Sequence, residues 1–112
     1  MPFIHVRTNV KIDSEKEKII KSELGNKISL LNKSEAWLMI EIEDERRLWF
    51  QGENTPCAMV NVELLGAASR ADYERMTAEV TDMLHQELGI PKNRVYTNYS
   101  EFSTWGYNGG HF

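Results

Sequence analysis

The segment CAMVNVELLGAASRADYERMTAEVTDMLHQELGIPKNRVYTNY, residues 57–99, carries the pattern that decides the fold. Apolar residues alternate or run together over 57–65 and again over 94–99, and many of them are β-branched or aromatic, which predicts two strands. The stretch between these strands has one apolar helical face, which consists of Tyr73, Met76, Val80, Leu84 and Leu88. The segment therefore predicts a strand, a helix over 69–88 and a second strand, which together form a βαβ unit.

The first half of the chain repeats this order. Strand patterns at 3–6 and 37–42 flank a helical pattern over 14–31, whose apolar positions are Ile20, Leu24, Ile28 and Leu31. We interpret the two halves as weakly similar units, at about 2–44 and 57–101, joined by a segment that contains a short extra element.

The ends of the predicted helices carry capping signals. Ser14 and Glu17 have the spacing of a capping box at the start of the first helix, and Ser69 is a suitable N-cap for the second. Gly89 followed by Pro91 is typical of a helix end.

Two consecutive βαβ units favour one architecture. Each unit needs a right-handed crossover, which places both helices on one face of a single sheet. We therefore predict an α/β two-layer fold, with a four-stranded mixed sheet and two helices on one face, in one domain spanning 1–112.

The face of the sheet that the helices leave open is expected to be partly apolar. The two-residue period puts Trp37 and Met39 on one side of a strand, and it does the same for Met59 and Leu65. Polar residues interrupt this face at Glu41, Asn61, Glu63 and Asn98. A closed homo-oligomer with polar pockets between subunits would cover such a face.

Composition excludes several functions. The chain has 112 residues, 27% of them charged, with a net charge of -4, so it shows no basic surface for DNA or RNA. It contains neither an apolar run of membrane-spanning length nor a signal-peptide pattern, and the expected location is the cytoplasm.

The residues that bind metals or form disulfides are sparse. Cys57 is the single cysteine, which excludes an intrachain disulfide and a multi-cysteine zinc site. The three histidines, His5, His85 and His111, are not at ligand spacing, and Glu41, Glu43 and Glu63 form no recognisable acid pair. We expect no metal and no cofactor.

Pro2 stands directly before the first predicted strand and directly after Met1. If Met1 is removed, the ring nitrogen becomes a secondary amine, and α-amino groups titrate at about pH 7.7–8.0. By position alone a structural role, that of stiffening a strand start, is favoured over a catalytic one.

The residues along the whole chain resemble the macrophage migration inhibitory factor family of the tautomerase superfamily. The resemblance rests on the Met1-Pro2 start, Thr8-Asn9-Val10, Lys33, Pro56-Cys57-Ala58, Leu65-Gly66, Asn93-Arg94-Val95-Tyr96-Thr97-Asn98-Tyr99, Gly106-Tyr107-Asn108 and Phe112. Together, in this order and spacing, these motifs are specific.

The resemblance implies a homotrimer in which three sheets form a barrel, with an active site at each subunit boundary. It assigns the catalytic base to Pro2, substrate contacts to Lys33 and the Leu65 backbone, and contacts from a neighbouring subunit to Tyr96 and Asn98. The pocket walls are then formed by Trp37, Tyr107 and Phe112.

The function implied is that of an isomerase, a keto–enol tautomerase that acts on phenylpyruvate-type aromatic 2-oxo acids. The alternative is a cytokine-like ligand that acts by binding a receptor. If the source is a bacterium or parasite, the receptor would belong to a host. The protein would then be secreted without a signal peptide. Relatives with thiol–disulfide activity have a Cys-x-x-Cys where this chain has Cys57-Ala58-Met59-Val60, so we expect no such activity.

Overall fold

The computed structural model describes residues 1–112. In chain order its strands and helices are β1 (Pro2–Thr8), α1 (Ser14–Lys27), β2 (Met39–Glu43), β3 (Ala58–Leu65), α2 (Arg70–Leu88), β4 (Val95–Phe102), β5 (Gly106–Tyr107) and β6 (Gly110–His111). Short 3₁₀ turns at Ile28–Leu31, Glu35–Trp37 and Lys92–Arg94 connect them.

The sheet confirms the two predicted βαβ units. Its four strands lie in the order β2-β1-β3-β4. β1 pairs in parallel with β2, and β3 pairs in parallel with β4, as each crossover requires. β1 and β3 are antiparallel at the centre, with Pro2 opposite Leu64 and Arg7 opposite Met59. The sheet is therefore mixed, and the units meet along their first strands.

The core lies between the sheet and the two helices. Alternate residues of the central strands face it, among them Ile4, Val6, Val60 and Val62, which are at most 1% exposed. All four predicted apolar positions of the first helical segment are buried, and from α2 so are Met76, Val80 and Leu84. Full burial of one such side chain contributes roughly 1.5–3 kcal/mol. This layer supplies most of the driving force for folding.

Helix capping follows the prediction at α2 and departs from it at α1. The Ser69 hydroxyl accepts a hydrogen bond from the Asp72 N–H at 3.1 Å, and Gly89 ends α2 with a φ of +69°. At α1, Asp13 is the N-cap, and its carboxylate accepts from the Lys16 N–H at 2.8 Å. The predicted Ser14 cap is wrong by one residue, because the stronger carboxylate acceptor stands just before it.

Gly25 leaves room for the Glu35 side chain to lie against α1. A β-carbon there would lie 1.9 Å from the Glu35 carboxylate, so only glycine lets this side chain approach the helix so closely. The helical path continues as a 3₁₀ turn and ends at Asn32, whose φ is 59°. The next residue is Lys33, which the tight return directs toward the end of β3.

The second strand begins later than predicted. Trp37 closes the 3₁₀ turn Glu35–Trp37, which the Ser34 hydroxyl caps by accepting from the Ala36 N–H at 3.1 Å. The strand starts only at Met39. The prediction that Trp37 shares a strand face with Met39 is therefore wrong, because the local cap favours a turn at this position.

The open face of the sheet carries both polar and apolar side chains. Met39 and Tyr96 are 68% and 60% exposed, whereas Arg7, Asn61 and Asn98 form a hydrogen-bonded row across three strands. Neither helix combines the length and apolarity that crossing a bilayer would require.

Candidate functional site

A cavity of about 500 Å³ opens at the N-terminal end of β1. Most of its lining is apolar, and the residues that shape it are Pro2, Phe3, Trp37, Glu63, Trp105 and Tyr107. This size and lining suit a small aromatic molecule.

Pro2 lies in the floor of this cavity. It is buried, and its position in β1 is fixed by pairing with Leu64 of β3. The carbonyl of Met1 accepts a hydrogen bond from the Leu65 N–H at 3.0 Å. With Met1 in place, the nitrogen of Pro2 is an amide and has no basic lone pair.

Lys33 brings a positive charge to the same end of β3. Its ammonium donates a hydrogen bond to the Leu65 carbonyl at 2.8 Å. Burial, and then the charge of Lys33, lower the pKa of the terminal amine at Met1 below its ordinary value. An amine at this end of the chain therefore loses its proton more readily than one in water.

Trp37 and Tyr107, which line the cavity, form a cluster of aromatic rings with Phe112, which does not line it. The ring of Trp37 meets that of Tyr107 edge-on at 5.0 Å and that of Phe112 at 5.8 Å, and Tyr107 stacks on Phe112 at 5.6 Å. The late start of β2 places Trp37 where this cluster can form. The structure thus brings together all three predicted wall residues.

The β5–β6 hairpin holds the last two of these rings. Its turn is Asn108-Gly109, with φ angles of 53° and 77°, and the φ > 0 pair suits a two-residue hairpin. The Phe112 N–H donates to the carbonyl of Trp105 at 3.1 Å, which anchors the chain end. Sequence reasoning missed this hairpin and Trp105, although Asn-Gly is a strong hairpin signal.

Tyr96 and Asn98 are not part of this cavity. On β4 they pair with Met59 and Asn61 of β3. Five residue steps along β3 separate Met59 from Leu64, the partner of Pro2, which places Tyr96 roughly 17 Å farther along the sheet. Within one chain, the predicted substrate contacts therefore form two separate groups.

Local contacts hold the distant group in place. The ring of Tyr96 meets the ring of Phe50 edge-on at 4.7 Å. The Asn98 side-chain carbonyl accepts from the Asn61 amide at 2.8 Å, and Asn61 in turn accepts from Arg7 at 2.8 Å. Tyr96 is 60% exposed, so much of its side chain is available for contact with another chain.

Three ionisable residues that looked unrelated in the sequence converge on the open face. His5 Nε2 lies 2.5 Å from a Glu43 oxygen and 3.8 Å from a Glu41 oxygen. The hydrogen bond with His5 and the charge of Arg46 lower the pKa of Glu43 below its ordinary value. Spacing along the chain does not predict this cluster, because it depends on the register between β1 and β2.

The fold and the cavity define a class of protein: small α/β domains of the tautomerase fold, in which two βαβ units share a sheet and a pocket opens at the first residue of the first strand. A model of the family "Macrophage migration inhibitory factor (MIF)" matches residues 1–112, and the chain belongs to this family.

Individual relatives match over almost their whole length. Macrophage migration inhibitory factor of Xenopus laevis is 28% identical, over 100% of this chain and 99% of its own. The homolog of Trichinella spiralis is 26% identical over 100% of both chains.

Solved structures of proteins with similar names have the same fold as this chain. The crystal structure of Leishmania major MIF2 has a TM-score of 0.94 and 30% identity, and covers 100% of this chain and 97% of its own. A macrophage migration inhibitory factor homologue from Prochlorococcus marinus has a TM-score of 0.90 and 26% identity, with 98% of both chains covered.

Proposed function

We propose that this protein is a keto–enol tautomerase for phenylpyruvate-type aromatic 2-oxo acids, with Pro2 as general base once Met1 has been removed. The observation that carries the proposal is the position of Pro2, buried in the floor of an aromatic-walled cavity. Lys33 reaches the same end of the sheet by its hydrogen bond to Leu65.

The proposed reaction moves one proton. The free amine of Pro2 takes a proton from the substrate carbon between the ring and the carbonyl. The protonated amine then gives a proton to the carbonyl oxygen, which yields the enol and restores the free base. A base is most useful when its pKa lies near the working pH. Burial and the charge of Lys33 both lower the pKa of the terminal amine at Met1. The same two influences would act on the amine of Pro2 after removal of Met1 and would favour its free base.

Lys33 is suited to hold the substrate carboxylate. An ammonium group has three N–H donors, and one of them is used by the Leu65 carbonyl at 2.8 Å. The other two are left for an anionic ligand beside Pro2. The aromatic ring of the substrate then packs against Trp37 and Tyr107, whose rings exclude water.

Tyr96 and Asn98 enter the proposal through a second copy of the chain. Because Tyr96 lies on a distant part of its own sheet and is largely exposed, it contacts substrate only in a neighbouring subunit's cavity. We therefore propose a homotrimer, in which each site combines Pro2 of one chain with Tyr96 and Asn98 of the next.

The test compares turnover of phenylpyruvate by the processed protein and by Pro2→Gly. Loss of a general base lowers kcat by about 10²–10⁴-fold. Pro91→Ala, which removes a proline far from the cavity, serves as the control and is expected to keep full activity. Equal rates for wild type and Pro2→Gly would exclude the proposed mechanism.

A second role is suggested by the names of the relatives, which are called macrophage migration inhibitory factors. In that role the protein is a ligand for a cell-surface receptor, and the cavity is vestigial or regulatory. Pro2→Gly also separates the two roles: a variant that loses turnover but still inhibits macrophage migration would show that they are independent.

A further inference from the structure

The His5–Glu41–Glu43 cluster lies on the open face of the sheet, apart from the Pro2 cavity. Parallel pairing of β1 with β2 puts His5 directly opposite Glu41, and Glu43 is the next residue on the same face of β2. Each residue contributes one ligand atom, and all three atoms lie within 4.8 Å of one another. The register of two paired strands therefore builds a compact group of one imidazole and two carboxylates.

The spacing of these atoms is close to that around a bound ion. Zinc binds imidazole nitrogen and carboxylate oxygen at about 2.0–2.2 Å, which separates neighbouring ligand atoms by roughly 3.0–3.5 Å. His5 Nε2 is 2.5 Å from Glu43 Oε1 and 3.8 Å from Glu41 Oε1, on either side of this range. Reaching this range requires rotation of the two glutamate side chains, while the paired strands hold the backbone positions of all three residues.

The neighbouring cations leave the ligand atoms accessible. Arg46 pairs with Oε2 of Glu43, the oxygen that does not face His5. Such an outer contact orients a ligating carboxylate. Arg7, which pairs with Glu43 in the strand register, directs its guanidinium to Asn61 instead. Glu41 has its nearest partner, His5, at 3.8 Å, so its carboxylate is free to ligate.

We propose that His5, Glu41 and Glu43 bind one divalent transition-metal ion of the zinc type. An imidazole in the ligand set favours zinc over magnesium and calcium, which prefer oxygen ligands alone. Water completes the coordination, since the cluster is partly open to solvent. Because β2 is an edge strand, the ion would tie this edge to the centre of the sheet.

The test is calorimetric titration of the protein with Zn²⁺. We expect one ion per chain in the wild type, and binding at least about tenfold weaker in His5→Ala and in Glu41→Gln. His111→Ala and Glu45→Gln are the matched controls, since they remove an exposed imidazole and an exposed carboxylate elsewhere. Both controls are expected to bind as the wild type does.

Thermal unfolding gives a second measurement. Binding to the folded state alone raises Tm with the free Zn²⁺ concentration, so the wild type is expected to gain stability and Glu41→Gln is not. Glu41 is half exposed, so this variant keeps the fold, which far-UV circular dichroism checks. No binding by the wild type, or equal binding by Glu41→Gln and the controls, would overturn the proposal.

Discussion

The two ends of the sheet differ in how completely one chain builds them. At the Pro2 end, the turn before β2, the end of β3 and the C-terminal hairpin enclose a cavity within a single chain. At the Tyr96 end, the aromatic and amide side chains are exposed on β4, where Tyr96 packs on Phe50 and Asn98 is hydrogen-bonded to Asn61. Pro2 and Lys33 thus lie at the same end of one chain, whereas in the proposed site Tyr96 and Asn98 come from a partner.

The largest expected effect is the loss of turnover in Pro2→Gly, which mixing with a second defective chain should partly reverse. Pro2→Gly is expected to be inactive and Tyr96→Ala about tenfold slower, because a hydrogen bond to substrate is lost. In trimers reassembled from equal amounts of the two, about a quarter of the sites combine an intact Pro2 with an intact neighbouring Tyr96. Phenylpyruvate turnover by the mixture should therefore recover to about a quarter of the wild-type rate.

An absence of recovery would contradict the proposal that each site combines two chains. A mixture whose rate equals the average of the two separate variants would show that both ends serve the same chain or that Tyr96 has no role. Mass spectrometry of differently labelled chains checks that subunits have exchanged.

Substitution of Trp37 tests the aromatic wall of the cavity at the Pro2 end of the sheet. Trp37→Ala removes a ring that contacts both Tyr107 and Phe112. We expect KM for phenylpyruvate to rise about tenfold or more, because an apolar binding surface is lost. Trp49→Ala is the matched control, since Trp49 is 68% exposed and lies outside the cavity. Similar KM changes in both variants would contradict the assignment.

Lys33 tests the charge at this end. Lys33→Met is expected to raise KM for the carboxylate substrate by about tenfold. In the proposed mechanism Pro2 acts as its free base, so kcat/KM is expected to rise with pH to a plateau above the pKa of Pro2. Removal of the nearby positive charge raises that pKa, so the midpoint of the profile is expected at higher pH. Lys11→Met is the control for a surface lysine, and an unchanged KM in Lys33→Met would exclude the carboxylate contact.

The smallest effect is expected at the hairpin. Gly109→Ala introduces a β-carbon at a φ of 77°, which costs about 1 kcal/mol. We expect a KM increase of only a few-fold, since the strained turn loosens the wall without removing a ring. Gly110, whose φ is not positive and which does not line the cavity, is the matched position, and Gly110→Ala should leave KM closer to the wild-type value.

The fold was predictable because the covered face depends on local periodicity. Met76, Val80 and Leu84 recur at helical spacing and are all fully buried. Boundaries were less predictable: Trp37 sits in an apolar stretch, but the Ser34 cap makes a turn there. A competing local hydrogen bond cannot be seen in the apolar pattern.

The site was predictable only in part. The resemblance assigned roles to Pro2, Lys33 and the wall residues, and those roles stay predictions. The structure places Pro2, Trp37 and Tyr107 around one cavity and Lys33 at the end of β3 beside Leu65. The convergence of His5 with Glu41 and Glu43 could not be assigned, because it depends on strand register and not on spacing along the chain. Glu63 and Trp105 could not be assigned for a similar reason, because they line the cavity through their position in the folded chain.

The role of Pro2 as the general base is tested most directly by measuring N-terminal processing and turnover in the same samples. Intact mass gives the fraction of chains that lack Met1, and phenylpyruvate turnover is then measured for preparations with different fractions. We predict a rate proportional to the processed fraction and no turnover by chains that retain Met1, because their Pro2 nitrogen is an amide. Full turnover by a preparation in which every chain retains Met1 would contradict the assignment of Pro2 as the base.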